Sequence, residues 1–184
     1  ATPLISPRGA MYVGTPAQRD LLDRTEAELR PHTPNLQRLK ATEAFARVPV
    51  LRSDLVGGAL LDPDAADIDV HALHQGFLRR AKANGALIAT DARVSGLQHR
   101  AGLWQVESAA GVWRAATVVN AAGAWADVLA QLAGIAPIGL QPKRRAAFLF
   151  PAPTGVASAP WPCVCGVDEG WYFKPDAGAL LGSP

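Results

Sequence analysis

Apolar side chains recur at helical spacing through residues 68–85. Val70, Leu73, Phe77, Leu78 and Ala81 form one stripe, and His74 falls on it. Asp69 suits the N-cap, Asn84-Gly85 the stop, and Arg79, Arg80 and Lys82 the wet side and last turn. A strand is predicted over Gly9–Gly14. Thr15-Pro16 then opens a helix that runs to about Leu29, with Leu21, Leu22 and Leu29 inward, and Pro31 and Pro34 break it. The pattern predicts a short helix over Leu36–Ala46 and a strand over Val56–Leu61. Further strands are expected at Leu87–Thr90, Arg93–Gln98, Leu103–Ser108 and Val112–Ala115. Beyond Gly134 the pattern turns to one long strand, Gly139–Phe150. A Pro/Ala/Gly loop follows, then short strands at Val164–Val167, Trp171–Lys174 and Ala179–Gly182.

The stretch VVNAAGAWAD, Val118–Asp127, adds a different signal. Val118 and Val119 suit a buried strand. The small residues Ala121, Ala122 and Gly123 then allow another backbone or a flat ligand to approach closely. A helix follows from Ala124 to Ala133, with Trp125, Leu129 and Leu132 on one face and Gly134 as its stop. A strand–turn–helix of this kind also occurs in α/β proteins that bind no ligand there. The G-x-G-x-x-G turn that sets a dinucleotide pyrophosphate on a helix N-terminus is absent from the sequence.

The order of elements predicts a mixed α/β chain in two intermingled regions. Residues 50–135 are expected to belong to a nucleotide-type domain. Residues 1–49 and 136–184 are expected to belong to an antiparallel-sheet domain that faces substrate. With 184 residues and 49% hydrophobic content there is ample material for a core. The net charge of +2 is spread along the chain, which gives no support to a nucleic-acid or membrane-surface partner. No apolar run approaches a membrane span, and a cytoplasmic location is expected. Cys163 and Cys165 place both thiols on one face of a strand, and reduced cysteines are expected there.

Candidate chemistry is sparse. His71 and His74, near Asp67 and Asp69, have helical spacing, but Asp69 is needed as a cap and His74 lies on the apolar stripe, so no metal site is expected. Arg145, in LQPKRRAAFLF, is suited to clamp a carboxylate bidentately, and a solvated basic edge strand accounts for the same pattern. Tyr172, in WYFKPDAG, is placed either to pack in a hairpin or to wall a pocket with its phenol free to hydrogen-bond.

The segments ADIDVHALHQGFLR, VVNAAGAWAD, LQPKRRAAF and FKPDAGALLGSP, in that order, resemble the FAD-dependent D-amino acid oxidoreductases (the DAO family), and among them D-arginine dehydrogenase-like enzymes. The resemblance implies an internal part of a larger flavoenzyme, with part of a Rossmann-like FAD domain, a substrate domain, and the first βαβ unit missing. It implies FAD as cofactor and oxidative deamination of a D-amino acid, by hydride transfer to the flavin, to a 2-oxo acid and ammonia. Arg145 then matches an arginine on the substrate carboxylate and Tyr172 a tyrosine lining the same pocket. Val94 matches a position whose backbone meets the adenine side of FAD, and Ala121, Ala122, Gly123 and Trp125 match the turn flanking the cofactor. Where those enzymes carry a glutamate suited to a guanidinium, this chain has Ala10, which implies an uncharged side chain on the substrate. A secondary amine such as sarcosine, or a binding module without flavin, remain the alternatives.

Overall fold

The computed structural model describes residues 3–184. From the N-terminus the chain forms β1 (Ile5–Pro7), β2 (Ala10–Gly14), α1 (Arg19–Leu29), β3 (Gln37–Lys40), α2 (Ala41–Arg47), β4 (Gly58–Asp62), β5 (Ala66–Ile68) and α3 (Val70–Ala83). Then come β6 (Val94–Arg100), β7 (Leu103–Ser108), β8 (Gly111–Ala115) and α4 (Ala126–Leu132). The chain closes with β9 (Phe148–Phe150), β10 (Cys163–Gly166), β11 (Tyr172–Asp176) and β12 (Ala179–Ser183). The result is a mixed α/β chain.

Two compact units divide it, residues 3–76 with 145–184 and residues 77–144. The sequence pattern places these boundaries near 50 and 135. The difference arises because β4 is an inner strand of the large sheet, between β3 and β2, so residues 50–76 belong with the termini.

In the first unit a 7-stranded sheet has the order β3-β4-β2-β10-β11-β12-β9. Its pairs are antiparallel except β2–β10, which run parallel. Strand β2 alternates as its sequence requires. Met11 and Val13 point to one face, into a core with Leu39, Ala59, Leu61, Val164, Trp161 and Leu180, which Ala44 of α2 and Val48 just after it help to cover. On the other face Leu22 of α1 seals Leu36, Leu60 and Val167, with Tyr12 at the edge. Met11, Leu60 and Val164 are fully buried, and each such side chain contributes about 1.5–3 kcal/mol of transfer free energy. Helix α1 is entered as expected through Thr15-Pro16. A single 3₁₀ turn, Pro16–Gln18, precedes it, and the Gln18 side chain accepts the Thr15 N–H at 3.0 Å. A two-stranded ribbon, β1 with β5, completes this unit.

The second unit holds the antiparallel meander β6-β7-β8 and α4, which packs beside β6. Several expectations are corrected here and in the first unit. Residues 87–90 and Val118–Val119 are not strands, and Leu87 is 93% exposed. A β-branched or apolar run becomes a strand only when a neighbour takes its hydrogen bonds, and among the described residues none does so. The long strand over residues 139–150 reduces to β9, because β12 takes only Phe148–Phe150 of that stretch as partners. Residues 36–46 divide into edge strand β3 and helix α2. On α3, Asp69 caps as expected, its Oδ1 accepting the Ala72 N–H at 2.8 Å. Its apolar stripe, however, is not covered by the described residues: Val70, His74 and Phe77 are exposed.

Candidate functional site

The second unit carries a groove of about 1070 Å³ between α4 and the β6–β7 pair. Val94, Ala122, Trp125, Val128, Leu129 and Leu132 line it, together with Arg93, Ser95 and Ser108. Three of the expected cofactor residues, Val94, Ala122 and Trp125, therefore share one apolar wall. Ala121 and Gly123 lie beside it in the same exposed turn and do not line it.

Asn120 holds that turn in place. Its Nδ2 donates to the Ala126 carbonyl at 2.8 Å, and its Oδ1 accepts the Ala122 N–H at 3.3 Å. Gly123 has φ +55, and a Cβ added there would meet no atom within 4 Å, so its backbone faces open space. After α4, the Asp127 carboxylate accepts the N–H groups of Ile138, Gly139 and Leu140 at 3.0, 2.9 and 2.7 Å. Sequence reasoning missed Asn120 and Asp127, although polar residues flanking a small-residue turn are the ordinary signal for side-chain-to-backbone bracing. The turn, small and open beside an apolar wall, fits the flat part of a dinucleotide. The phosphate-cradling glycine turn is not in the sequence, so the groove does not account for the pyrophosphate.

The first unit carries the other candidate surface, the part of the large sheet's α1-side face that α1 leaves open. The strand register sets its residues in rows. Tyr12 stands beside Cys165, Cys165 opposite Tyr172, and Tyr172 opposite Ser183. One pleat along the face, Ala10 stands beside Cys163 and opposite Asp62, and Lys174 opposite Leu181. Ala10 and Tyr172, far apart in sequence, thus share one face and are both half-buried. Burial, with the Asp62 carboxylate nearby, pushes the Tyr12 phenol up.

Lys174 Nζ binds Asp67 at 2.6 Å, and Arg8 Nε binds the other oxygen of Asp67 at 2.7 Å. The two thiols are unbonded, with Sγ atoms 3.8 Å apart. Arg145 lies just before β9 in irregular backbone and is exposed, so it is not part of an edge strand. Among the described residues no cluster of three His, Cys, Asp or Glu is placed to hold a metal ion. No described helix is long and apolar enough to cross a membrane.

Human mitochondrial dimethylglycine dehydrogenase is 35% identical over 88 residues, covering 47% of this chain and 10% of that protein. Among solved structures, dithionite-reduced L-α-glycerophosphate oxidase from Mycoplasma pneumoniae, with FAD bound, superposes with a TM-score of 0.86 at 19% identity, covering 98% of this chain and 50% of that one. Glycine oxidase from Geobacillus kaustophilus gives 0.77 at 22% identity, with 98% and 48% coverage. These two likenesses are likenesses of fold. The chain spans about half the length of those structures and a tenth of the dehydrogenase. Residues 2–184 match the DAO family, FAD dependent oxidoreductase, and the chain belongs to that family, whose cofactor is FAD.

Proposed function

We propose that the chain is part of an enzyme that oxidises the carbon next to nitrogen in an amino acid, with uncharged D-amino acids as the first substrate class. The observation that carries this reading is the shared open face of Ala10 and Tyr172 on the large sheet. On it a phenol able to hydrogen-bond a carboxylate shares the face, one pleat along and with β10 between, with a small apolar position that accepts a side chain without charge. FAD, when bound, supplies the hydride acceptor. The protein's own residues hold and orient. Arg145 pairs with the substrate carboxylate, Tyr172 hydrogen-bonds it, and both keep the α-hydrogen directed at the acceptor. The wall of Val94, Ala122 and Trp125, with the backbone of Ala121 and Gly123, lies along the cofactor. Hydrolysis of the imino product in water gives the 2-oxo acid and ammonia.

A second reading, oxidation of an N-methylated glycine, is supported by the 35% identity to dimethylglycine dehydrogenase. The full-length protein should purify yellow, and kcat/KM for D-leucine, D-phenylalanine, sarcosine and N,N-dimethylglycine separates the two. The first reading requires the D-amino acids to lead. If an N-methylated glycine leads, the second reading takes its place, and a colourless protein rejects both. Comparing dioxygen with a quinone-type dye as electron acceptor assigns oxidase or dehydrogenase.

A further inference from the structure

Cys163 and Cys165 have no part in the reading above, yet they occupy the same open face as Ala10 and Tyr172. Their Sγ atoms lie 3.8 Å apart, within hydrogen-bond reach for sulfur, and both residues are half-buried. Strand β10 fixes this arrangement, because residues two apart on a strand point the same way. It also opposes a disulfide. Two strand steps separate the Cα atoms by roughly 6.6 Å, close to the upper limit of about 6.8 Å that a disulfide tolerates. The pair is held close enough to share a proton and too extended to bond easily.

The surroundings of the two sulfurs differ. The β10–β11 register, with Val164 opposite Phe173 and Cys165 opposite Tyr172, brings Lys174 to the Cys163 side of the face. Lys174 and Arg8 favour charge on Cys163, and Asp67, which both of them bind, opposes it. Cys165 faces Tyr12 and Tyr172 across its two strand pairs and feels the Glu169 carboxylate. The hydrogen bond from Cys165, with Lys174 and Arg8 behind it, outweighs burial and Asp67 and brings Cys163 down to about 7. The same hydrogen bond, with burial, pushes the Cys165 thiol up.

We propose that Cys163 is a nucleophilic thiolate and a site of oxidation by hydroperoxides, with Cys165 as its hydrogen-bond donor, on the face that also carries Ala10 and Tyr172. The Cys163 thiolate attacks one peroxide oxygen. The S–O bond forms as the O–O bond breaks, sulfur loses two electrons, and the peroxide gains them. The departing hydroxide, or alkoxide from an organic hydroperoxide, takes the Cys165 thiol proton and leaves as water or alcohol, and Cys165 recovers a proton from solvent. Strand geometry slows condensation with Cys165, so the sulfenic acid persists until an external thiol reduces it. An oxygen added beside Ala10 narrows the substrate surface, so oxidation lowers turnover. That last step rests on the proposed function.

The test uses the full-length protein. Alkylation of native Cys163 by iodoacetamide, followed by peptide mass spectrometry across pH, should show a midpoint near 7 rather than the ordinary value of about 8.5. Cys165→Ala should move that midpoint upward. Hydrogen peroxide followed by dimedone should label Cys163, with label on Cys165 at least tenfold lower. The ratio of treated to untreated activity should fall in the native protein and stay near one in Cys163→Ser. A Cys163 midpoint at the ordinary value, or dimedone label absent or confined to Cys165, overturns the proposal. Equal peroxide sensitivity in Cys163→Ser overturns the link to turnover. Alkylation and labelling need no substrate, so a labelled Cys163 in a protein that oxidises no amine rejects the functional reading and leaves the thiolate standing.

Discussion

Asp67 and Lys174 meet at 2.6 Å although 107 residues of chain separate them. Arg8 occupies the other oxygen of the same carboxylate at 2.7 Å, and its guanidinium also donates to the carbonyls of Ala159 and Trp161 at 2.9 and 3.1 Å. One acidic side chain thus ties the β1–β5 ribbon to β11 and to the loop before β10. It also fixes the cation that stands nearest the Cys163 side of the open face.

Asp67→Asn should therefore destabilise the first unit in a pH-dependent way. Burial pushes the Asp67 carboxyl up, but hydrogen bonds from Lys174 and Arg8 outweigh it and hold the carboxyl below its ordinary range. A lowered folded value means stabilisation that is present above the unfolded carboxylate range, about pH 3.9, and lost as pH falls through the folded value. The side chains involved are 21–24% exposed, so water screens the pairs and the expected cost is about 1–2 kcal/mol at pH 7. Urea melts of native and variant protein at pH 7 and pH 3 check this. A gap that does not shrink at pH 3 would contradict the ionic origin.

Gly57→Ala and Gly76→Ala should move stability in opposite directions. A Cβ on Gly57 would stand 2.6 Å from Pro16 N, 2.7 Å from Pro16 Cα and 2.9 Å from the Thr15 carbonyl carbon, all backbone atoms at the entry to α1. Overpacking against a fixed backbone costs about 1–3 kcal/mol, and a chain of this size loses roughly 2–4 °C in Tm per kcal/mol. At Gly76, within α3, nothing lies within 4 Å of an added Cβ. Alanine there should stabilise by about 0.5–1 kcal/mol through helix propensity. Thermal melts of the two variants test both signs.

The chain shows its local structure more readily than its pairings. Helices α1, α3 and α4 and the meander β6-β7-β8 follow from period and turn residues alone, because their hydrogen bonds are satisfied within or next to the segment. Strand β3, Gln37–Lys40, was hidden because only Leu39 of its residues is buried, as suits an edge strand. Val118–Val119 misled for the opposite reason: two β-branched residues carry strand propensity, but propensity supplies no neighbouring strand. At the candidate site, Val94, Ala122 and Trp125 could be named one by one, and their common wall appears only once α4 is set beside β6. The row Tyr12–Cys165–Tyr172 depends on a register between strands some 150 residues apart, which no local pattern encodes. The C-x-C spacing did predict that the two thiols share a face. It held no sign of Lys174 nearby.

Arg145→Ala in the full-length enzyme should lower kcat/KM far more than it lowers stability. Arg145 is exposed, and surface replacements of this kind change stability by about 0.5 kcal/mol or less. Removing one partner of a desolvated charge pair in a substrate complex costs about 2–5 kcal/mol, roughly a 30-fold to several-thousand-fold loss. The checks are kcat/KM and Tm on the same preparation. If substrates with and without a carboxylate suffer equally, Arg145 does not bind the carboxylate.

Ala10→Glu should shift preference toward a cationic side chain. Ala10 is half-buried on the open face, beside Cys163 on β10 and opposite Asp62 on β4. The carboxylate opposite it, Asp62, has its Oδ1 engaged with the Asp64 N–H at 2.9 Å, at the turn that ends β4. A guanidinium brought to Ala10 gives up hydration with no dedicated partner, which is costly, whereas a leucine- or phenylalanine-like side chain gains apolar contact with the alanine methyl. Placing a carboxylate at this position offers a charge-assisted hydrogen bond of about 1.5–3 kcal/mol. The ratio of kcat/KM for D-arginine to that for D-leucine should therefore rise roughly 10- to 150-fold. The new charge opposite Asp62 adds a cross-strand repulsion of about 0.2–1 kcal/mol, which a melt of the variant will register. Native preference for D-arginine would mean that Asp62 supplies the charge after all, and Asp62→Asn would then abolish it. An unchanged ratio in Ala10→Glu would place the substrate side chain away from β2.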